Sequence, residues 1–247
     1  MGYNWNWGVF LQEVPDAGVF YWEMLLSGLG WTLALSACAW VIAMAVGAAV
    51  GTVRTTESVW LVRLGNAYVE VFRNVPLLVQ MFLWYFVVPE LIPPLKEWVK
   101  ATDATVVQFV SATVCLGLFT AARIAEQVRS GIGALPRGQR YAARALGLTT
   151  VQMYRFVLLP MALRIVIPPL TSETMNLIKN SSIALTIGLT ELTFRTREMG
   201  EYTFNFFEAF TAATLIYVAV AMTANRVMAW VERRTAVPGF IAAGAGK

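Results

Sequence analysis

Four charged side chains interrupt stretches that are otherwise apolar. Arg123 and Glu126 follow a charge-free run from Ala104 to Ala122, and Glu173 and Lys179 break the run from Ile165 to Leu189. At the centre of a lipid-embedded helix each such residue costs about 2.5–3.5 kcal/mol, so it needs a partner or a polar cavity. The chemistry open to Arg123 is carboxylate recognition: its planar fork can hold a carboxylate by two hydrogen bonds, with the Thr120 hydroxyl one turn away as a further donor. Glu126, on the same face, is placed to receive an ammonium group or to balance Arg123 between transport steps. The alternative is a mutual i,i+3 ion pair that only offsets its own burial. Further along, Ser172, Glu173, Asn176, Lys179, Asn180 and Ser181 partly share a helical face. Such a stripe suits a helix beside a pathway, or hydrogen bonding between helices worth about 1 kcal/mol or less per contact. Lys179 and Asn180 are expected nearer the pathway than Glu173. The candidate binding set is therefore Thr120, Arg123, Glu126, Lys179 and Asn180, and the ligand an acidic solute.

The elements that position these residues follow from composition. Apolar residues make up 57% of the chain and charged ones 14%, with a mean hydropathy of +0.60, which places it among all-α polytopic membrane proteins. Its 247 residues are best divided into spans of about 20 residues each. Span one is the charge-free run from Met24 to Val53, with Gly47 and Gly51 permitting close approach of a neighbouring helix. Span two covers about Val75 to Val88, borrows turns from Tyr68 to Asn74, and is ended by Pro89, Pro93 and Pro94. Span three starts near Ala104 and continues through Arg123 and Glu126. Span four runs from about Ile165 to Leu189, and span five from Ala209 to about Trp230. Residues 1–23 carry three acids and no Lys or Arg, whereas Arg54, Arg63, Arg226, Arg233 and Arg234 lie at the other span ends. Basic residues resist translocation, so five transmembrane helices run from an external N-terminus to a cytoplasmic C-terminus.

Several classes of function drop out. Cys38 and Cys115 both fall inside apolar runs, giving neither a disulfide framework nor a metal cluster. The chain has no histidine, which removes His-dependent triads and His-ligated metals. The N-terminus lacks a basic region and a cleavage pattern, so the first span is read as a signal anchor. There is no GxxxxGK[ST] phosphate loop and no basic face suited to nucleic acid.

Between Arg129 and Arg164 stand six arginines and no acid. Within this block Tyr141 to Pro160 reads YAARALGLTTVQMYRFVLLP. The string resembles the signature loop of ABC-importer permease subunits: Glu-Ala-Ala, three residues, Gly, nine residues, an aliphatic residue, one residue, Leu-Pro. Ala142, Ala143, Gly147, Val157, Leu159 and Pro160 match, and Tyr141 stands where the family usually has Glu. YVEVFRNVPLLVQ (Tyr68 to Gln80) is similar to a stretch of the polar amino-acid permeases, with Glu70, Arg73, Pro76 and Gln80 as anchors. NWNWGVFLQ and TAARIAEQVR look like the glutamate/aspartate permeases. Many members carry Tyr where this chain has Arg123, in a pattern resembling Asn-Ser-x-x-Tyr-x-x-Glu, and the added cation favours a side-chain carboxylate.

The resemblance implies a type I ABC importer transmembrane domain over residues 24–232. A periplasmic segment (1–23) would precede it, a coupling loop would occupy about 132–160, and a cytoplasmic tail (233–247) would follow. It implies a multi-pass protein of the bacterial inner membrane that imports glutamate or aspartate by alternating access. Tyr141, Ala142, Ala143, Gly147 and Pro160 would form the ATPase contact, packed rather than ion-paired at Tyr141. Two separate ATP-binding subunits would hold ATP and Mg, leaving this chain without cofactor or catalytic residue. A second permease subunit in a heterodimer, a periplasmic solute-binding protein and the lipid bilayer complete the implied partners. The alternatives are a stand-alone ion-coupled transporter or channel using Glu126, Glu173 and Lys179, and a membrane-embedded enzyme, for which the loops offer no acid–base pair at working spacing. Five spans without a convincing internal repeat are few for a secondary transporter.

Overall fold

The computed structural model describes residues 3–15 and 17–235. The helices are α1 (Tyr21–Val53), α2 (Val59–Asn74), α3 (Leu77–Phe82), α4 (Val88–Leu91), α5 (Pro93–Ala101) and α6 (Ala104–Gly133), followed by α7 (Arg137–Ala145), α8 (Thr150–Met153), α9 (Leu159–Asn180), α10 (Leu192–Thr203) and α11 (Phe206–Thr235). Wider π turns join α3 to α4 and α8 to α9, and a 3-10 turn, Ser181–Ile187, follows α9. Four runs are long and apolar enough to cross a bilayer: α1, α6, the continuous stretch Thr150–Ile187, and α11. The fifth span is a bent pair, Val59–Asn74 with Leu77–Leu91, which turns through 104°. Span two is therefore a broken helix, and the break has a local cause. Pro76 has extended backbone (φ −57°, ψ 137°) and no N–H to donate, so the α2 ladder ends at Asn74 and a new one begins at Leu77.

The chain forms two compact units. The first comprises residues 3–41, 75–117 and 176–222. Its core joins Val9, Val14, Tyr21, Met24 and Leu25 to Leu192, Met199, Ala209 and Ala213. The N-terminal segment is held there by Glu208, which accepts hydrogen bonds from the Tyr3 hydroxyl (2.7 Å) and the Asn6 N–H (2.6 Å). Tyr3 also packs on Phe207, and Trp5 stacks on Trp7. Helix α1 starts at Tyr21, three residues before the charge-free run.

The second unit comprises residues 42–74, 118–175 and 223–235. Here Gly47 and Gly51 bring α1 against α6: a Cβ on Gly47 would lie 2.8 Å from Ile124 and 2.9 Å from the Ala121 carbonyl, and one on Gly51 2.6 Å from the Ala125 carbonyl. Val69 of α2 packs on Ala122 and Ala125, and the Tyr68 hydroxyl donates to the Leu118 carbonyl (2.7 Å). The segment read from the sequence as a coupling loop, 132–160, takes in the end of α6, all of α7 and α8, and the start of α9, so Val157, Leu159 and Pro160 belong to the long Thr150–Ile187 run. Of the 233–247 tail, residues 233–235 continue α11, and 236–247 lie outside the described residues.

Candidate functional site

The second unit assembles the charged residues of α6. Thr120, Ala121, Ala122, Ile124 and Ala125 are buried, whereas Arg123 points outward with 43% of its side chain exposed. Its guanidinium makes a bidentate contact with Glu173 of α9, Nε to Oε2 at 2.7 Å and a terminal N–H to Oε1 at 3.2 Å. Glu173 is 8% exposed, so a largely desolvated carboxylate fills the Arg123 fork. The alternative of a mutual Arg123–Glu126 pair is therefore not the arrangement found. Glu126 instead meets Arg54, the residue just after α1, at 2.7 Å, forms a close contact with Arg129 one turn on, and lies 3.8 Å from Arg73. Arg54 also donates to Asn66 (2.8 Å), so the Glu126 carboxylate and Arg54 tie the turn after α1 to α2 and α6. Thr120 is buried, at 2% exposure.

Glu173, expected farther from the pathway than Lys179, is the residue that meets Arg123. Sequence spacing could not show this, because the pair is separated by fifty residues. Its one signal was an acid in an apolar run with no basic neighbour at helical spacing.

Lys179 and Asn180 belong to the first unit, at the end of α9. There Lys179 borders a cavity of about 240 Å³ with Ser182, Thr193, Thr214 and Tyr217. The Tyr217 hydroxyl donates to Glu191 (3.0 Å), a fully buried residue that sequence reading passed over. Glu191 caps α10, accepting from the Thr193 and Phe194 N–H groups at 2.9 Å each. Burial pushes its carboxyl group up, and the backbone donors of Thr193 and Phe194 pull it back.

The basic block is organised around a closed helix end. Helix α7 ends with the Gly147 N–H on the Arg144 carbonyl (2.9 Å) and the Leu148 N–H on the Ala143 carbonyl (3.2 Å), with Gly147 at φ +75°. This is the Schellman arrangement, whose left-handed residue glycine alone adopts without strain, and it explains the anchor at Gly147. Thr149 then starts α8 through a reciprocal capping box with Gln152. Ala143 is buried, whereas Tyr141 and Ala142 are exposed, as are Leu146, Val151 and Phe156. Arg144 pairs closely with Glu57 in the α1–α2 loop, and the Tyr154 hydroxyl donates to the Thr55 carbonyl (2.7 Å). A basic helix with an apolar exposed fringe is thus held by two ties to one loop.

Residues 42–237 match the family described as "Binding-protein-dependent transport system inner membrane component". The glutamate/aspartate import permease protein GltJ of Escherichia coli K12 is 50% identical over 241 residues, covering 97% of this chain and 98% of GltJ, and the GltJ of E. coli O6:H1 matches to the same extent. From that O6:H1 strain the glutamate/aspartate import permease protein GltK is 28% identical over 235 residues, covering 95% of this chain and all of GltK. In a crystal structure of an amino-acid ABC transporter with histidines, one chain superposes with a TM-score of 0.72 at 29% identity, covering 87% of this chain and 95% of that one.

Proposed function

The chain belongs to the inner-membrane components of binding-protein-dependent transport systems, and from that premise we propose that it is the permease subunit through which an ABC importer moves glutamate and aspartate into the cytoplasm. The single observation that carries the substrate assignment is the Arg123–Glu173 contact. A fork that already holds a carboxylate in two hydrogen bonds is shaped for a carboxylate of the solute. In this mechanism Glu173 occupies Arg123 while the site is empty, and an arriving acidic side chain displaces it. When the solute leaves, Glu173 returns, so release does not strand an unpaired guanidinium. The identity to GltJ supports the same solute class.

The energy source lies in partners. Two ATP-binding subunits holding ATP and Mg dock on the basic block, with Tyr141, Ala142, Ala143, Gly147 and Pro160 in the coupling region, and their closure drives alternating access. A periplasmic solute-binding protein delivers the solute. A second, different permease chain completes the pathway, as the pair GltJ and GltK in one strain suggests. The arginine distribution supports a cytoplasmic block and an external segment 1–23. Kinship with transport permeases sets aside the membrane-embedded enzyme and the self-sufficient ion-coupled transporter.

The test is uptake of labelled glutamate into proteoliposomes holding this chain, the second permease and the ATPase, with solute-binding protein added outside. Uptake should require ATP and be competed by aspartate but not by lysine. Uptake that continues without ATP, or that lysine competes equally well, would overturn the assignment.

A further inference from the structure

The cavity beside α7 gathers more positive charge than this chain balances. Its volume is about 360 Å³, and Glu57, Leu135, Arg137, Arg140, Tyr141 and Arg144 are among its lining residues. Arg137, Arg140, Tyr141 and Arg144 stand at i, i+3, i+4 and i+7 of one helix and therefore share a face. Of the three guanidinium groups only that of Arg144 is paired, with Glu57 of the α1–α2 loop; those of Arg137 and Arg140 have no ion-pair partner among the described residues. Three cations thus face one carboxylate. No acid stands anywhere between Arg129 and Arg164 to make up the difference. The imbalance has a local origin at Tyr141. A Glu there, the residue usual at this place in the loop pattern, would lie four residues after Arg137 and three before Arg144, within helical reach of both, and would neutralise the face from within. Tyr141 is instead 67% exposed and carries no charge at neutral pH. The face is left to draw its counter-charge from outside the chain.

We propose that this cavity seats an acidic side chain, Asp or Glu, of the ATP-binding subunit, held by the Arg137 and Arg140 guanidinium groups with the Tyr141 ring packed against it. The polarity of the contact is then the reverse of that made by an acid-bearing loop: the permease supplies the cations and the ATPase the anion. Leu135 and the Tyr141 ring screen such a pair from solvent, which strengthens it over a fully exposed one. Arg144 stays with Glu57 and keeps the face oriented. That an ATP-binding subunit docks here rests on the proposed function, whereas the sign of the charge it presents rests on the cavity and its unpaired arginines.

Association of the purified ATP-binding subunit with the permease pair in nanodiscs, followed by biolayer interferometry at low and at high salt, tests the assignment. The unaltered complex should bind, and more weakly as salt rises. Arg137→Gln combined with Arg140→Gln should weaken association about tenfold or more at low salt and flatten its salt dependence. Arg137→Lys combined with Arg140→Lys keeps the charge and should hold affinity within about threefold, with the salt dependence retained. Tyr141→Glu gives the sharpest contrast. It restores the usual acid of the loop, occupies Arg137 and Arg144 from within, and should weaken docking by about fivefold or more. Tighter docking of Tyr141→Glu, or a double Gln variant that binds like the unaltered chain at both salt levels, would overturn the assignment. A loss seen in nanodiscs of anionic lipid but absent from those of phosphatidylcholine would overturn it too, because the arginines would then serve a lipid headgroup. If the ATP-binding subunit fails to bind the unaltered complex and uptake runs without ATP, the proposed function falls and this inference with it; docking that ignores these charges removes the charge assignment alone.

Discussion

Replacing Glu173 and Arg123 singly and together separates a carboxylate that competes with the solute from one that binds it. The contact consists of two charge-assisted hydrogen bonds, at 2.7 and 3.2 Å. Each such bond is worth about 1.5–3 kcal/mol when well shielded. Arg123 is 43% exposed, so solvent takes back part of this, leaving about 2–3 kcal/mol for the pair. At about 1.4 kcal/mol per tenfold, Arg123→Gln should raise the glutamate concentration needed for half-maximal ATPase stimulation about 30-fold or more. Glu173→Gln acts oppositely. A neutral amide still accepts one hydrogen bond but no longer holds the guanidinium by charge, so the half-maximal concentration should fall about tenfold. Stability gives the second readout. Arg123→Gln strands a carboxylate that is only 8% exposed, whereas the double variant does not, so the double variant should melt above Arg123→Gln. The assay is ATPase stimulation of the assembled transporter in nanodiscs across a glutamate titration, with melting followed in parallel. If Glu173→Gln weakens the glutamate response as much as Arg123→Gln does, Glu173 is a ligand for the solute and the displacement mechanism is wrong.

Three further outcomes follow from packing. Gly147→Val forces a β-branched residue to φ +75°, costing roughly 1–2 kcal/mol at the end of α7; ATP-driven uptake should drop while membrane insertion, read by cell-surface labelling, stays normal. Gly51→Leu would place Cβ 2.6 Å from the Ala125 carbonyl and 2.7 Å from Val128, so purified protein should show a lower melting temperature in detergent, and an unchanged one would deny the α1–α6 contact. Glu191→Ala removes the cap of α10 and leaves buried donors unsatisfied, which should destabilise the chain by about 1–3 kcal/mol in denaturant melts, with Glu191→Asp milder.

The long spans were legible because charge-free runs obey a length rule, and α1, α6 and α11 enclose the stretches read as spans one, three and five. Gly47 and Gly51 were legible for a related reason: small residues four apart on an apolar helix have few uses besides close packing. Span two was harder, since hydropathy averages over a window and cannot register a 104° turn. Its cause, Pro76, reads equally well as a first-turn proline of a straight helix. The pairing of Arg123 was invisible because local spacing offered Glu126 at i+3, and tertiary packing preferred Glu173 fifty residues on. Glu191 and Tyr217 gave no signal at all, since an acid between helices and a tyrosine within a span each have ordinary explanations. The Gly147 anchor was recognised by resemblance, and its physical reason, a left-handed helix end, appears only with the backbone.

Helix α9 carries Pro168 and Pro169 in its interior. Two successive missing N–H groups leave the carbonyls of Arg164 and Ile165 without their usual helical donors, so stiffness drops at one level of an otherwise continuous rod. That level falls between Pro160, at the block's end of the rod, and Glu173, which holds Arg123. Under the proposed function, a displacement arriving from the block would become a tilt of the far segment rather than a push along its axis. Such a tilt would carry Glu173 sideways across the Arg123 fork, and a two-pronged contact tolerates sideways travel poorly. The double proline would then be a joint through which motion at the arginine-rich end loosens a carboxylate clasp.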